Sequence, residues 1–151
     1  MTHAAITGWG KCLPPNVLTN ADLATFLDTN DEWITSRTGI SERRISHVSL
    51  EEMAYVSSMR ALAAAGLDPA DVELIVIGTC SFDDQVPNQA SGLQVRLGAK
   101  RAAAYDVNTA CTSFLYALST ANALIRTGVV HVRPLSADLL STGNWSSSLK
   151  T

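Results

Sequence analysis

The chain has 151 residues, 46% of them hydrophobic and 17% charged, enough apolar material for one ordinary core in a single soluble domain. Its formal net charge of -3 comes from 11 basic and 14 acidic residues interspersed along the chain, which argues against a nucleic-acid or membrane-surface protein. No apolar stretch approaches the ~20 residues of a membrane span, and the start, MTHAAITGWG, lacks a basic flank before a long apolar segment, so a cytoplasmic protein is expected.

In chain order, residues 4–8 read as a first strand. Thr29 and Glu32 form a capping pair that opens a short helix carrying Trp33 and leading to Arg37 and Thr38. Ser49 and Glu52 form another, before a helix whose Met53, Val56, Met59 and Leu62 share a face and which ends at Gly66. LIVIG, residues 74–78, is a continuous apolar run rich in β-branched residues, as suits a strand covered on both faces. Residues 87–97 place Ala90, Leu93 and Leu97 at helical spacing, with Pro87 in the first turn and Gly98 at the end. A second apolar strand at 102–107 runs straight into NTACTSF. The helix after it has a stripe of Phe114, Leu118, Ala121 and Ile125, closed by Arg126 and Gly128. This alternation predicts an α/β layered domain, with a mixed, mainly parallel sheet and crossover helices packed on it.

The tail reads differently. VVHVRPLSADLL begins like another strand, but Pro134 stands where a central strand needs an N–H. Residues 141–151 are polar and serine-rich, so the whole stretch from about residue 132 is expected to be irregular, without the apolar strand that would finish the sheet.

Cys12, Cys80 and Cys111 form no close pair and are odd in number, which fits a reducing compartment. His3, His47 and His131 are scattered, and none has metal-ligand spacing from a cysteine, so no metal site is expected. Cys111 sits where a buried strand hands over to a helix. A thiol in a first helical turn lies at the positive end of the helix dipole, a field that favours the thiolate, and backbone N–H groups there can stabilise an oxyanion on an attacked thioester. A small buried hydrophobe is the plain alternative for any free cysteine. Cys12, in a Gly- and Pro-rich loop, and Cys80, just after LIVIG, read as packing residues.

YDVNTACTSFLYAL resembles the nucleophile segment of the β-ketoacyl-acyl-carrier-protein synthase III family, of thiolase-like fold. DTNDEWITSRTGISERRI resembles the family's DEWI-RTGI-RR signature, and GWGKCLPPNVLTNADL its opening strand and loop. The resemblance covers roughly residues 4 to 130 and implies the N-terminal half of a thiolase-like fold. It implies that Cys111 carries an acyl group taken from acyl-coenzyme A and passes it to malonyl-acyl-carrier-protein or a related acceptor, in fatty-acid or polyketide biosynthesis. It implies that Trp33 and Arg37 hold the adenine of coenzyme A with Thr29 beside the base. An indole face and a guanidinium can both stack on a purine, though without the motif a core aromatic and a solvated charge are the simpler readings. By position in SFDDQVPNQA, Val86 is the residue sent across a homodimer interface into the partner's acyl pocket, where a small side chain reshapes the acyl end. Roles for Arg43 and Arg44 stay open between structure and the pocket mouth. No permanently bound cofactor is implied; acyl-coenzyme A is substrate and acyl carrier protein a partner.

The family also uses a histidine and an asparagine in its C-terminal half. No segment here resembles them, and His131 matches none of the later motifs. A half of such a fold would expose the face meant for the other half. A non-catalytic half-domain that binds coenzyme A or a complementary subunit is therefore the alternative function.

Overall fold

The computed structural model describes residues 4–130 and 137–141. They fall into two compact units, one of residues 13–48 and the other of residues 4–12, 49–130 and 137–141.

In the smaller unit, strand β1 (Asn16–Thr19) pairs antiparallel with β2 (Glu42–Ile45), Asn16 opposite Ile45 and Thr19 opposite Glu42. Helices α1 (Asn20–Leu23) and α2 (Asp31–Thr38) lie between them in sequence. A capping box opens α1: Thr19 Oγ1 accepts from the Asp22 N–H at 3.1 Å, and Asp22 Oδ2 accepts from the Thr19 N–H at 2.8 Å. The Thr19 hydroxyl also donates to Asp22, and these bonds hold the Asp22 carboxyl below its ordinary value. Asn30 caps α2, accepting from the Trp33 N–H at 2.8 Å, so the expected Thr29–Glu32 box does not form. Both residue types cap well, and the planar asparagine amide one residue later takes the bond.

Asn20, 1% exposed, ties this unit together. Its Nδ2 donates to Asp31 Oδ1 and to the Ile40 carbonyl, each at 2.7 Å, and lies 3.4 Å from Thr35 Oγ1. Its Oδ1 accepts from Arg43 Nη1 at 2.8 Å. One buried amide therefore joins the start of α1, the first turn of α2, the Ile40 carbonyl beyond that helix and strand β2. Arg43 is thereby given a structural partner, while Arg44 pairs with Glu42 at 3.5 Å.

In the larger unit, α3 (Leu50–Ala65) is capped by Ser49, whose hydroxyl accepts from the Glu52 N–H at 3.1 Å, and ends at Gly66 in the left-handed region. Its buried face is Leu50, Met53, Ala54, Ser57, Ser58 and Leu62, with Met59 exposed, because small residues let that side approach its neighbours. Residues 4–8 form no strand. Gly8 and Gly10 lie directly on the α3 backbone, where a Cβ would strike the Ala61 and Ser57 carbonyls, so helix contact replaces a ladder.

The sheet is parallel, in the order β4 (Ala103–Val107), β3 (Leu74–Gly78), β5 (Ala137–Ser141). Leu74 aligns with Ala103 and Ala137, and Gly78 with Val107 and Ser141. The presence of β5 corrects the expectation of a missing strand: it starts three residues past Pro134, so the proline precedes the ladder instead of interrupting it. His131 and residues 142–151 lie outside the described residues.

Both faces of β3 are covered. Ile75 and Ile77 pack with Ala54 and Leu62 of α3 and with Ala90, Leu93 and Leu97 of α4 (Gln89–Leu97). Leu74 and Val76 pack on the other face with Ala117 and Ala121 of α5 (Ser113–Arg126). The connection from β3 to β4 carries α4, and the one from β4 back past β3 to β5 carries α5. Right-handed crossovers running in opposite directions put their helices on opposite faces, as seen. Asn88 caps α4 by accepting from the Ser91 N–H at 2.9 Å, which leaves Pro87 just outside the helix. The α5 stripe against the sheet is Ser113, Ala117, Ala121 and Ile125, leaving Phe114 exposed.

Candidate active site

In an open parallel sheet, a crevice forms beyond the carboxyl ends of neighbouring strands whose connections leave for opposite faces. Here those strands are β3 and β4, and the Cys111 turn starts at that edge. Past Val107 the chain makes a 3-10 turn, Ala110–Thr112, before α5 begins. Cys111 sits in this turn, exposed to solvent, one turn ahead of the helix instead of inside it as expected. Ala110 has φ 50, a left-handed conformation costing an alanine roughly 1 kcal/mol or more.

The turn is held by a buried serine. Ser113 Oγ accepts from the Thr109 N–H at 2.9 Å and donates to the Ala110 carbonyl at 2.9 Å. Thr112 Oγ1 donates to the Thr109 carbonyl at 2.7 Å. Ser113 in turn lies against Gly78 at the end of β3: a Cβ added at Gly78 would come 2.9 Å from the Ser113 Cβ and 3.0 Å from its carbonyl carbon. A glycine there lets the start of α5 sit on the strand end, which fixes the height of Cys111 above the sheet.

The loop between β3 and α4 carries Val86, 90% exposed. Asp83 anchors it: its carboxylate accepts from the Leu50 and Glu51 N–H groups at 3.4 and 3.2 Å, and its own N–H donates to Gln89 Oε1 at 3.1 Å. Asp106 on β4 caps α4 by accepting from the Gln89 and Ala90 N–H groups, both at 2.8 Å. Both acids thus serve helix starts. Cys80 is exposed, at a bend two residues past β3, which removes the packing role expected of it; Cys12 is half-buried.

In the smaller unit, Trp33 and Arg37 stand one helical turn apart on α2, with the guanidinium 4.5 Å from the centre of the indole. Trp33 is half exposed, so it is no core aromatic. The Thr29 hydroxyl, just before the helix, is buried with no hydrogen-bond partner among the described residues. Thr29, Trp33 and Arg37 belong to this unit, and Val86 and Cys111 to the other. Two features escaped the sequence reading, the Asn20 hub and the Gly78–Ser113 contact. The only trace of the second is a glycine ending an otherwise β-branched strand. Among the described residues no cluster of His, Cys, Asp and Glu could hold a metal, and no helix is long and apolar enough to cross a membrane.

Residues 105–147 match the family model for 3-oxoacyl-[acyl-carrier-protein] synthase III. The β-ketoacyl-[acyl-carrier-protein] synthase III 2 of Vibrio vulnificus (strain YJ016) is 53% identical over 140 residues, covering 92% of this chain and 39% of that protein. The crystal structure of the synthase III from Aquifex aeolicus VF5 superposes with a TM-score of 0.78 at 44% identity, over 82% of this chain and 40% of that one. The priming β-ketosynthase of the R1128 polyketide pathway superposes equally well, with a TM-score of 0.78 at 33% identity over 83% of this chain and 39% of that one. The chain thus spans about 40% of the length of the relatives it matches.

Proposed function

We propose that this chain, which belongs to the N-terminal part of the β-ketoacyl-acyl-carrier-protein synthase III family, performs acyl uptake for that enzyme through Cys111. The observation that carries the reading is an exposed cysteine on a strained turn at the switch point of the sheet, directly before a 14-residue helix. The Cys111 thiolate attacks the carbonyl carbon of an acyl-coenzyme A thioester. The tetrahedral oxyanion forms beside the positive end of α5 and collapses with loss of coenzyme A, which leaves as a thiol after gaining a proton. The acyl-cysteine is then consumed by malonyl-acyl-carrier-protein or a related acceptor in a cytoplasmic homodimer. That second half-reaction draws on the histidine and asparagine which the resemblance assigns to the family's C-terminal half.

Trp33 and Arg37 form the nucleotide platform. In the observed geometry they stack on each other, and a purine between them needs a gap of about 7 Å, two contact distances of ~3.5 Å. Arg37 therefore swings off the indole when the base enters, a modest cost because an exposed cation–π contact is worth ~0.5–1 kcal/mol. Val86, projecting from an anchored loop, reaches a partner's acyl pocket.

Incubation with acetyl-coenzyme A followed by intact-mass measurement tests the reading. An acetyl adduct is expected on the native chain and is absent from Cys111→Ala. A folded chain that binds coenzyme A but gains no adduct would instead be a binding module.

A further inference from the structure

Free cysteines are among the most buried residues, yet both Cys80 and Cys111 are exposed. They leave the same edge of the sheet from adjoining strands. Gly78 is level with Val107, and the Thr79 N–H donates to the Val107 carbonyl at 3.1 Å, so the two chains still run side by side one residue beyond the ladder. Gly78 also lies against Ser113, so Cys80, two residues past Gly78, and Cys111, two residues before Ser113, flank one contact. The 3-10 turn, closed by the Thr112 N–H donating to the Thr109 carbonyl at 3.1 Å, carries Cys111 two residues past Thr109. Cys80 is itself the middle residue of a small turn: Thr79 Oγ1 accepts from the Ser81 N–H at 3.1 Å and lies 3.3 Å from Ser81 Oγ. Neighbouring strands are ~4.8 Å apart, and disulfide-linked Cα atoms are ~4.4–6.8 Å apart, so two turns that leave adjoining strands around one contact start from a separation a disulfide can span.

We propose that Cys80 is the resolving thiol of Cys111, closing the acyl site as a reversible disulfide under oxidation by hydroperoxides. The inference rests on Cys111 being the reactive thiol of the proposed acyl transfer. The Cys111 thiolate attacks the terminal oxygen of the hydroperoxide; the O–O bond breaks, an alcohol (or water, from hydrogen peroxide) leaves, and Cys111 becomes a sulfenic acid. The Cys80 sulfur then attacks the Cys111 sulfur, the S–S bond forms, the S–O bond breaks, and the hydroxide departs as water with the Cys80 proton. Two thiols and one hydroperoxide give one disulfide, one alcohol and one water. A dithiol reductant reverses the closure by exchange. Trapping the sulfenic acid in this way keeps Cys111 from the irreversible sulfonic state.

The test treats the reduced chain with one equivalent of hydrogen peroxide, blocks remaining thiols by alkylation, and maps peptides without reduction. The expected product links the Cys80 and Cys111 peptides and leaves Cys12 alkylated. In Cys80→Ser, which acetylates like the native chain beforehand, excess hydrogen peroxide drives Cys111 to sulfinic and sulfonic acid several-fold faster than in the native chain, and dithiothreitol no longer restores acetylation. Absence of the linked peptide, linkage through Cys12, or equal over-oxidation in the two proteins overturns the proposal. Acetylation of the untreated chain is scored separately. A disulfide without any acetyl adduct removes the acyl-transfer reading and leaves the thiol pair, while an adduct without the disulfide does the reverse.

Discussion

Replacing Gly78 by alanine tests whether the strand end sets the position of Cys111. The new Cβ would lie 2.9 Å from the Ser113 Cβ and 3.0 Å from its carbonyl carbon, where ordinary contact begins at 3.4 Å, so the first turn of α5 must retreat by about 0.5 Å. The obstacle is backbone and Cβ, with no flexible end to swing aside. Overpacking of this kind costs ~1–3 kcal/mol. Ser113 Oγ holds both Thr109 and Ala110, so the Cys111 turn moves with the helix. A 1 Å misplacement of a reacting group can cost ~100-fold, and half that displacement about 10-fold. Single-turnover acetylation by acetyl-coenzyme A, followed by quenching and intact mass, is therefore expected to slow about 10-fold, with a lower melting temperature. Adding Ser113→Gly removes the nearest clashing atom and is expected to recover part of the lost stability, a coupling of ~0.5–3 kcal/mol. Native acetylation rate and melting temperature in Gly78→Ala would refute the reasoning, as would strictly additive losses in the double variant.

Asn20→Ala removes bonds to the charged partners Asp31 and Arg43, each worth ~1.5–3 kcal/mol, so urea unfolding should show a loss of about 3 kcal/mol or more; a loss below ~1 kcal/mol contradicts the hub. Tyr105 Oη is buried without a partner among the described residues, and burial pushes its hydroxyl above the ordinary value of 10.0. The fold therefore favours the neutral form, an advantage complete below the ordinary value and lost as pH rises through the raised one, so Tyr105→Phe should keep or raise the melting temperature at neutral pH and flatten its alkaline decline. Trp33→Ala should weaken coenzyme A binding by isothermal calorimetry through loss of ~1–3 kcal/mol of base stacking, with the folded signal in circular dichroism intact. In a full-length enzyme carrying this segment, Val86→Phe should shift acyl preference towards shorter chains, measured as relative kcat/KM across acyl-coenzyme A lengths; identical profiles exclude a pocket role.

Much of the larger unit was legible because burial on both faces leaves a plain mark. LIVIG is uninterrupted because Ile75 and Ile77 serve one face while Leu74 and Val76 serve the other. The Cys111 handover was legible from small residues following a strand. The face of α5 was misread by one step because Ser113 and Ala117 are too small to register as apolar, although they are the ones that touch the sheet. Strand β5 was hidden by a proline whose effect ends before the ladder begins. The β1–β2 pair has no apolar alternation, so nothing in Asn16–Thr19 announces a strand. Asn20 could not be read at all: its partners lie at residues 31, 35, 40 and 43, and only the folded chain brings them to one amide.

The helix that starts at the Cys111 turn is apolar on more than the side it buries. Ser113, Ala117, Ala121 and Ile125 face the sheet, whereas Phe114, Leu115 and Tyr116 are exposed beside the same first turn. A helix apolar around most of its circumference is stable in water only when another layer covers it. Such a layer, which the thiolase-like fold supplies from its other half, would also exclude water from the region where the acyl-transfer oxyanion is proposed to form. Electrostatic stabilisation by a helix start strengthens as the surrounding dielectric falls. The same covering that satisfies the apolar side chains would therefore sharpen the chemistry, so acetylation of Cys111 by the isolated chain should be slower than in a protein that carries the second layer.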